Sequence, residues 1–272
     1  MKTMTRENFD AEKVATELID GDGALLLKGV FDKDRIARIR DLIVAETDAE
    51  RETGSHFNQS GADARLQRRV WFTRLVELSP DIALLLEDPM IFESMQAFLG
   101  AEFVMGSMCA SRTMPGFGGQ EPHIDYPYWD FHRARTFPMR TNASFPLNGQ
   151  AVIIVDPFTE ENGATALAPG SQKTLRYPTS EDKFHENSIR LTGEPGDVAL
   201  FFGAAWHCAM PNRSDRGRTG ILVEFLPKFV TPIEDLLTGL DPDFEASASS
   251  VMRQLLGFNY PWPSTPPHPP MH

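Results

Sequence analysis

The chain has 272 residues, 41% of them hydrophobic and 24% charged, which is ordinary for a soluble globular protein and suits one large domain or two small ones. A formal net charge of −12 argues against nucleic acid or an anionic membrane as the main partner, although a few local arginines could still receive an anionic small molecule. Two cysteines, Cys109 and Cys208, make no disulfide framework and fit a reducing compartment. The opening MKTMTRENFDAEK carries no apolar run and no later segment approaches a membrane span, so a soluble, cytoplasmic protein is expected.

Residues 7–20 read as a short helix, followed by the glycine-bounded apolar run GDGALLLKGV (21–30), expected as a buried strand. Asp32 is placed to cap the helix KDRIARIRDLIVAET, where Ile36, Ile39, Leu42 and Ile43 form an apolar stripe at helical spacing. The polar stretch 48–68 is expected as a long surface loop, with further helices at about 80–87 and 90–99 separated by Pro89. From residue 102 the character changes. The runs 102–116, 149–158, 163–172, 196–203 and 218–226 are short, β-type and punctuated by turn residues, the pattern of a sandwich or barrel. The expected organisation is one domain over 1–257, with a helical part at about 1–100 and a β core at about 101–228, and a proline-rich tail over 258–272 that is extended or disordered.

The stretch PHIDYPYWD (122–130) places His123 and Asp125 two residues apart, on one face of an extended chain. Two such donors can form one edge of a metal site, or they can be ordinary polar residues on a solvated face. Of the seven histidines, His56, His132, His185, His268 and His272 lie in polar or proline-rich surroundings. Only His207 sits in an apolar strand context, GDVALFFGAAWHCAMPN. A lone histidine there would be a hydrogen-bonded core residue. Together with an upstream H-x-D it completes two imidazoles and one carboxylate, the donor set of facial-triad non-heme iron sites. Such a site leaves room for a bidentate oxo-acid and O₂, and the far carboxylate of that acid calls for a fixed arginine. Arg218 opens the strand after the turn AMPNRSDRG, and a hairpin of that length would return it beside His207. Arg213 and Arg216 lie within the turn and are expected in solvent.

In these pieces the chain resembles the phytanoyl-CoA dioxygenase family of Fe(II)/2-oxoglutarate oxygenases. The resemblance runs from DGDGALLLKGVFDKDRIARIR through HID (123–125), EENGATALAPGSQK and GDVALFFGAAWH to Arg218 and VEFLP, so over most of the chain. It implies a mainly β fold, a double-stranded β-helix or jelly roll, with N-terminal helices packed on the outer sheet. It also implies Fe(II) held by His123, Asp125 and His207, and 2-oxoglutarate held through its distal carboxylate by Arg218. Where relatives often carry a tryptophan, this chain has Val152 and, two residues earlier, Gln150, which can contact cosubstrate or substrate or sit at the barrel mouth. Ala209 stands where some relatives have a hydroxyl, which removes side-chain help to the oxo-acid from that position.

The activity implied is oxidation of a C–H bond of a small molecule, most simply hydroxylation, coupled to O₂ and to decarboxylation of 2-oxoglutarate to succinate and CO₂. Tyr126, Tyr128 and Trp129 either wall the substrate chamber or are core aromatics. Arg112, Arg133, Arg135 and Arg140 flank the site in sequence and either bind an anionic substrate group or are solvated charges. Two rival readings are a jelly-roll protein that binds metal without turnover and a cupin-like metalloenzyme that does not use 2-oxoglutarate. Arg218 separates them from the first reading, because neither rival needs a cation there.

Overall fold

The apolar runs are hydrophobic at nearly every position because both faces of their strands are covered. In the computed structural model, which describes residues 1–49, 65–129 and 145–258, the chain orders as follows. Strand β1 (Lys2–Met4) precedes α1 (Ala11–Asp20), β2 (Ala24–Leu27) and α2 (Lys33–Asp48). Next come β3 (Gln67–Trp71), α3 (Phe72–Leu78), α4 (Pro80–Ala83), α5 (Pro89–Leu99) and the long β4 (Phe103–Thr113). Then follow β5 (Gly149–Ile154), β6 (Ala166–Leu167), β7 (Ile189–Arg190), β8 (Val198–Phe202), β9 (His207–Cys208) and β10 (Arg218–Pro227). Two short helices, Pro242–Ser247 and Ser250–Leu255, close the described chain.

Seven strands form a large sheet in the order β1-β2-β8-β5-β10-β4-β3, antiparallel except for the parallel β1–β2 pair. The small sheet, β7-β6-β9, is extended by a bridge between His207 and His123. Alternation divides each central strand between two environments. Ala24, Leu26, Val152, Ile154, Ala199 and Phe201 form an inner cluster with Ala164 and Leu167 of the small-sheet side. Their neighbours Leu25, Leu27, Ala151, Ile153, Val198, Leu200 and Phe202 belong to the outer cluster with Leu18 of α1 and Met95 and Phe98 of α5. This is the expected jelly roll, with helices on the outside of its large sheet.

Local signals start the helices where expected. Asp32 accepts from the backbone of Asp34 and Arg35 at the start of α2, and Pro89 is the first residue of α5 behind the Asp88 cap. Of the stripe on α2, Ile36, Ile39 and Ile43 are buried, whereas Leu42 is 38% exposed and lies off the apolar face.

Three expectations change. The loop placed over 48–68 ends earlier, because Gln67 opens β3, which pairs with β4 from Gln67–Thr113 to Trp71–Cys109, and α3 follows directly. Gln67 and Arg69 are polar in this strand because they line a cavity. The run 163–172 contributes only Ala166 and Leu167 as strand. Gly163 has φ +80°, and a Cβ there would come within 2.2 Å of the Met210 carbonyl oxygen, so the chain turns where a longer strand was expected. Third, His207 and Arg218 do not form a hairpin: β9 pairs with β6 in the small sheet and β10 with β4 and β5 in the large one. The turn between them crosses from one sheet to the other. Residues 50–64, 130–144 and 259–272, and with them His56, His132, Arg133, Arg135, Arg140, His268, His272 and almost all of the tail, lie outside the described residues. No helix among the described residues is long and apolar enough to cross a membrane.

Candidate metal centre and its cavity

His123 and His207 form an antiparallel bridge in which each backbone N–H donates to the other's carbonyl at 3.0 Å. Asp125 follows two residues later, and its N–H donates to the Gly203 carbonyl just beyond β8, at 2.8 Å. The two ties bring His123, Asp125 and His207 together so that one ligand atom from each lies within 4.8 Å of the others. Each imidazole is oriented by its own backbone: Nδ1 of His123 lies 2.8 Å from the Glu121 carbonyl and Nδ1 of His207 lies 2.9 Å from the Ala205 carbonyl. A carbonyl only accepts, so both Nδ1 atoms carry the proton and both Nε2 atoms are free to coordinate. Those Nε2 atoms point at Asp125, at 3.7 Å from Oδ1 for His123 and 3.3 Å from Oδ2 for His207.

Electrostatics follow from burial of three interacting groups. Burial, with the nearby His207, pushes the His123 imidazole down to about 4, so it is neutral at physiological pH. Burial works against charge on His207 as well, but Asp125 and the Ala205 carbonyl together outweigh it and lift that imidazole above its ordinary value. For Asp125 burial raises the carboxyl, but His207, His123 and Arg69 together lower it more, and the net displacement is downward. Two neutral-capable imidazoles and an ionised carboxylate are the right donors for a divalent transition metal.

The three donors line a cavity of about 170 Å³, more than a metal ion needs. Arg218 enters it from the start of β10. It is 6% exposed, its Nε donates to Thr113 Oγ1 at 3.1 Å, and its guanidinium lies 4.2 Å from the centre of the Phe158 ring. Nη1 of Arg218 is buried without a hydrogen-bond partner, and burial pushes the guanidinium down to about 10, still fully charged at neutral pH. Gly220 makes the stacking possible, since a Cβ there would come within 2.8 Å of Phe158 Cζ.

Gln150, 9% exposed, also lines the cavity, from β5 and directly opposite Glu224 of β10. Tyr126 and Trp129 line it as an edge-to-face pair with centroids 5.9 Å apart, and the Tyr126 hydroxyl donates to the Thr231 carbonyl. Tyr128 does not: it is 3% exposed, packs on Phe202, and its hydroxyl accepts from Leu147 N. Arg112 is not brought to the cavity, because its side chain reaches away from it to Asp48, at 2.6 Å, and Thr47.

Residues that sequence reasoning did not single out complete the walls, among them Arg69 and Trp71 of β3, Gln120, Thr165 and Glu224. Arg69 stacks near Trp71 and donates to Gln67 Oε1, and its charge contributes to lowering both His123 and Asp125. Glu224 shares the face of Arg218, Gly220 and Leu222 at period two, a signal present in the sequence. Arg69 lies just beyond the stretch 48–68 expected as a loop, in a run for which no element was expected.

The phytanoyl-CoA dioxygenase (PhyH) family matches residues 19–220, which span this fold from α1 into β10 and include all three donors and Arg218. The chain belongs to that family. It is accordingly a non-heme iron, 2-oxoglutarate-dependent dioxygenase, and the cluster of two imidazoles and one carboxylate suits the iron. Among family relatives, dioxygenase cdmA of Talaromyces verruculosus is 29% identical over 240 residues, covering 85% of this chain and 77% of that protein. Dioxygenase andF of Emericella variicolor is 30% identical over 146 residues, 53% of this chain and 48% of its own length. Among solved structures, EctD from S. alaskensis with 2-oxoglutarate and 5-hydroxyectoine aligns with a TM-score of 0.63 at 17% identity, over 90% of this chain and 86% of that one. The epimerase SnoN, in complex with Fe³⁺, alpha-ketoglutarate and nogalamycin RO, aligns with a TM-score of 0.58 at 16% identity, over 80% and 84%. At such identity the two structures speak for the jelly-roll fold.

Proposed function

We propose that the protein oxidises a C–H bond of a small molecule, most simply by hydroxylation, with His123, Asp125 and His207 as the iron ligands and Arg218 as the anchor for the distal carboxylate of 2-oxoglutarate. The observation that carries this reading is Arg218: a buried guanidinium with an unpartnered Nη1, on the same cavity as three convergent metal donors. A buried guanidinium nitrogen left without an acceptor is costly, and an arriving carboxylate would supply one. A binding protein or a cupin-like enzyme without an oxo-acid would have no use for it.

When bound, the iron and 2-oxoglutarate supply O₂ activation and oxidative decarboxylation to succinate and CO₂. The chain's own residues do the rest. The Glu121 and Ala205 carbonyls keep both imidazoles in the coordinating tautomer, and Asp125 supplies the charge. Arg218 offers a planar fork to a carboxylate, and Arg69 offers a second cation nearer the metal donors for the other end of the same acid. Tyr126 and Trp129 form an aromatic wall against which the substrate is held and from which water is excluded. Gln150 faces the same space and is a contact for cosubstrate or substrate. Purified protein supplied with Fe(II), ascorbate and 2-oxoglutarate should form succinate slowly even without its substrate. No succinate above the rate in a metal-free control would remove this reading.

A further inference from the structure

A buried pair at the cavity wall, Asn148 and Glu224, lies between the segment that carries Asp125 and the segment of Gly203 to which it is tied. Asn148 is fully buried and Glu224 is 4% exposed. Asn148 Nδ2 donates to the carbonyl of Tyr126, the residue after Asp125, and also to Glu224 Oε1 at 2.6 Å. On its other side Asn148 presses against Gly203, where a Cβ would come within 2.1 Å of Asn148 Oδ1. Gly203 supplies the carbonyl that receives the Asp125 N–H. Next to Asn148, Leu147 N donates to the Tyr128 hydroxyl, and Tyr128 N donates to the Asp125 carbonyl. One amide side chain thus touches both the residue after Asp125 and the glycine whose carbonyl receives the Asp125 N–H.

We infer that Asn148, held in place by Glu224, is the positioning residue for Asp125 at the metal site. The inference rests on the reading of Asp125 as a metal ligand. Backbone carbonyls from two different segments, 126 and 203, must keep a fixed separation for the Asp125 carboxylate to meet the two Nε2 atoms. Neither segment is paired with the other there by a regular ladder, and Asn148 spans them. Glu224 takes the second Nδ2 hydrogen, which fixes the amide plane. Burial, with the nearby charge of Asp125, pushes the Glu224 carboxyl well above the usual carboxylate range. Glutamine at 224 would keep an acceptor for Asn148 Nδ2, and leucine would remove it.

The test uses Co(II) as a spectroscopic stand-in for Fe(II), titrated into metal-free full-length protein, with melting curves of the same samples. Asn148→Ala, Glu224→Leu and Gly203→Ala are expected to weaken Co(II) binding about ten- to hundredfold, as loss of an outer hydrogen-bond partner of a metal ligand typically does. They should also change the intensities of the visible bands of bound Co(II). Glu224→Gln should restore affinity and spectrum to within about twofold of wild type. The inference is overturned if the folded variants bind Co(II) with wild-type affinity and spectrum. It is overturned as well if they melt earlier but their bound Co(II) looks unchanged, since that marks a merely structural role. Should Asn148→Ala not fold, Gly203→Ala and the Glu224 pair decide by the same criteria. Wild-type protein that binds no metal would instead remove the proposed metal site itself, and this inference with it.

Discussion

Replacing Arg218 by alanine separates oxo-acid binding from metal binding. The side chain is 6% exposed, held by one hydrogen bond to Thr113 and by the Phe158 ring, with Nη1 buried and unpartnered. A carboxylate arriving at that atom gains a charge-assisted contact in a poorly solvated place, worth about 1.5–3 kcal/mol. At about 1.4 kcal/mol per factor of ten, its loss should raise the 2-oxoglutarate KM roughly ten- to hundredfold. Iron content should stay at the wild-type level, because Arg218 makes no contact with the three donors in the hydrogen-bond network. Lysine at 218 keeps a charge but not the planar fork and should fall between alanine and wild type. The assay is substrate-independent succinate formation against 2-oxoglutarate concentration, with iron measured in the same samples. A KM unchanged within about twofold, at full iron loading, would refute the reasoning and place the oxo-acid elsewhere, with Arg69 the next cation to examine.

His207→Ala is expected to abolish metal retention and succinate formation together, since two donors do not hold iron in a defined geometry; undiminished iron in the purified variant would remove His207 from the site. Trp129→Ala should depress substrate oxidation while leaving the slow substrate-independent succinate signal largely intact, because the Trp129 ring lines the chamber and its tie to Asp125 is a backbone N–H that alanine keeps; equal loss of both signals would assign it a structural role. Glu234 accepts from the backbone of Phe72 and Met108, and burial pushes its carboxyl from 4.5 up to about 7. A folded-state pKa above the unfolded one means this contribution to stability is complete below pH 4.5 and is lost as pH rises towards about 7. Glu234→Gln should therefore flatten the loss of metal-free stability over that window, by on the order of 1–3 kcal/mol, and denaturant titrations at several pH values that run parallel for both proteins would show that Glu234 is not the group responsible.

Much of the site was legible because it depends on local spacing. H-x-D puts two donors on one face through the pleat alone, and an apolar run around His207 marks a strand end that carries a polar group inward. Arg218, Gly220, Leu222 and Glu224 share a face for the same reason. Capping residues such as Asp32 and Asp88 start their helices through hydrogen bonds to residues two or three positions away. These features need only the residues next to one another in the chain.

The sequence by itself marked the candidate donors and the candidate cation, because each stands in a local pattern of its own: the H-x-D spacing, the apolar run that ends at His207, and the strand that Arg218 opens. Only the tertiary structure decided which strand lies beside which. It put Arg69 and Trp71 against β4, more than 30 residues on, sent β9 and β10 into different sheets, and turned Arg112 out to Asp48 while Tyr128 went to the core. It also set Asn148 between Tyr126, Gly203 and Glu224, three segments far apart in the chain. The physical reason is register. A strand's own pattern says which residues share a face, but which other residues meet that face depends on long-range pairing, and a shift of one residue would exchange every inward side chain for an outward one.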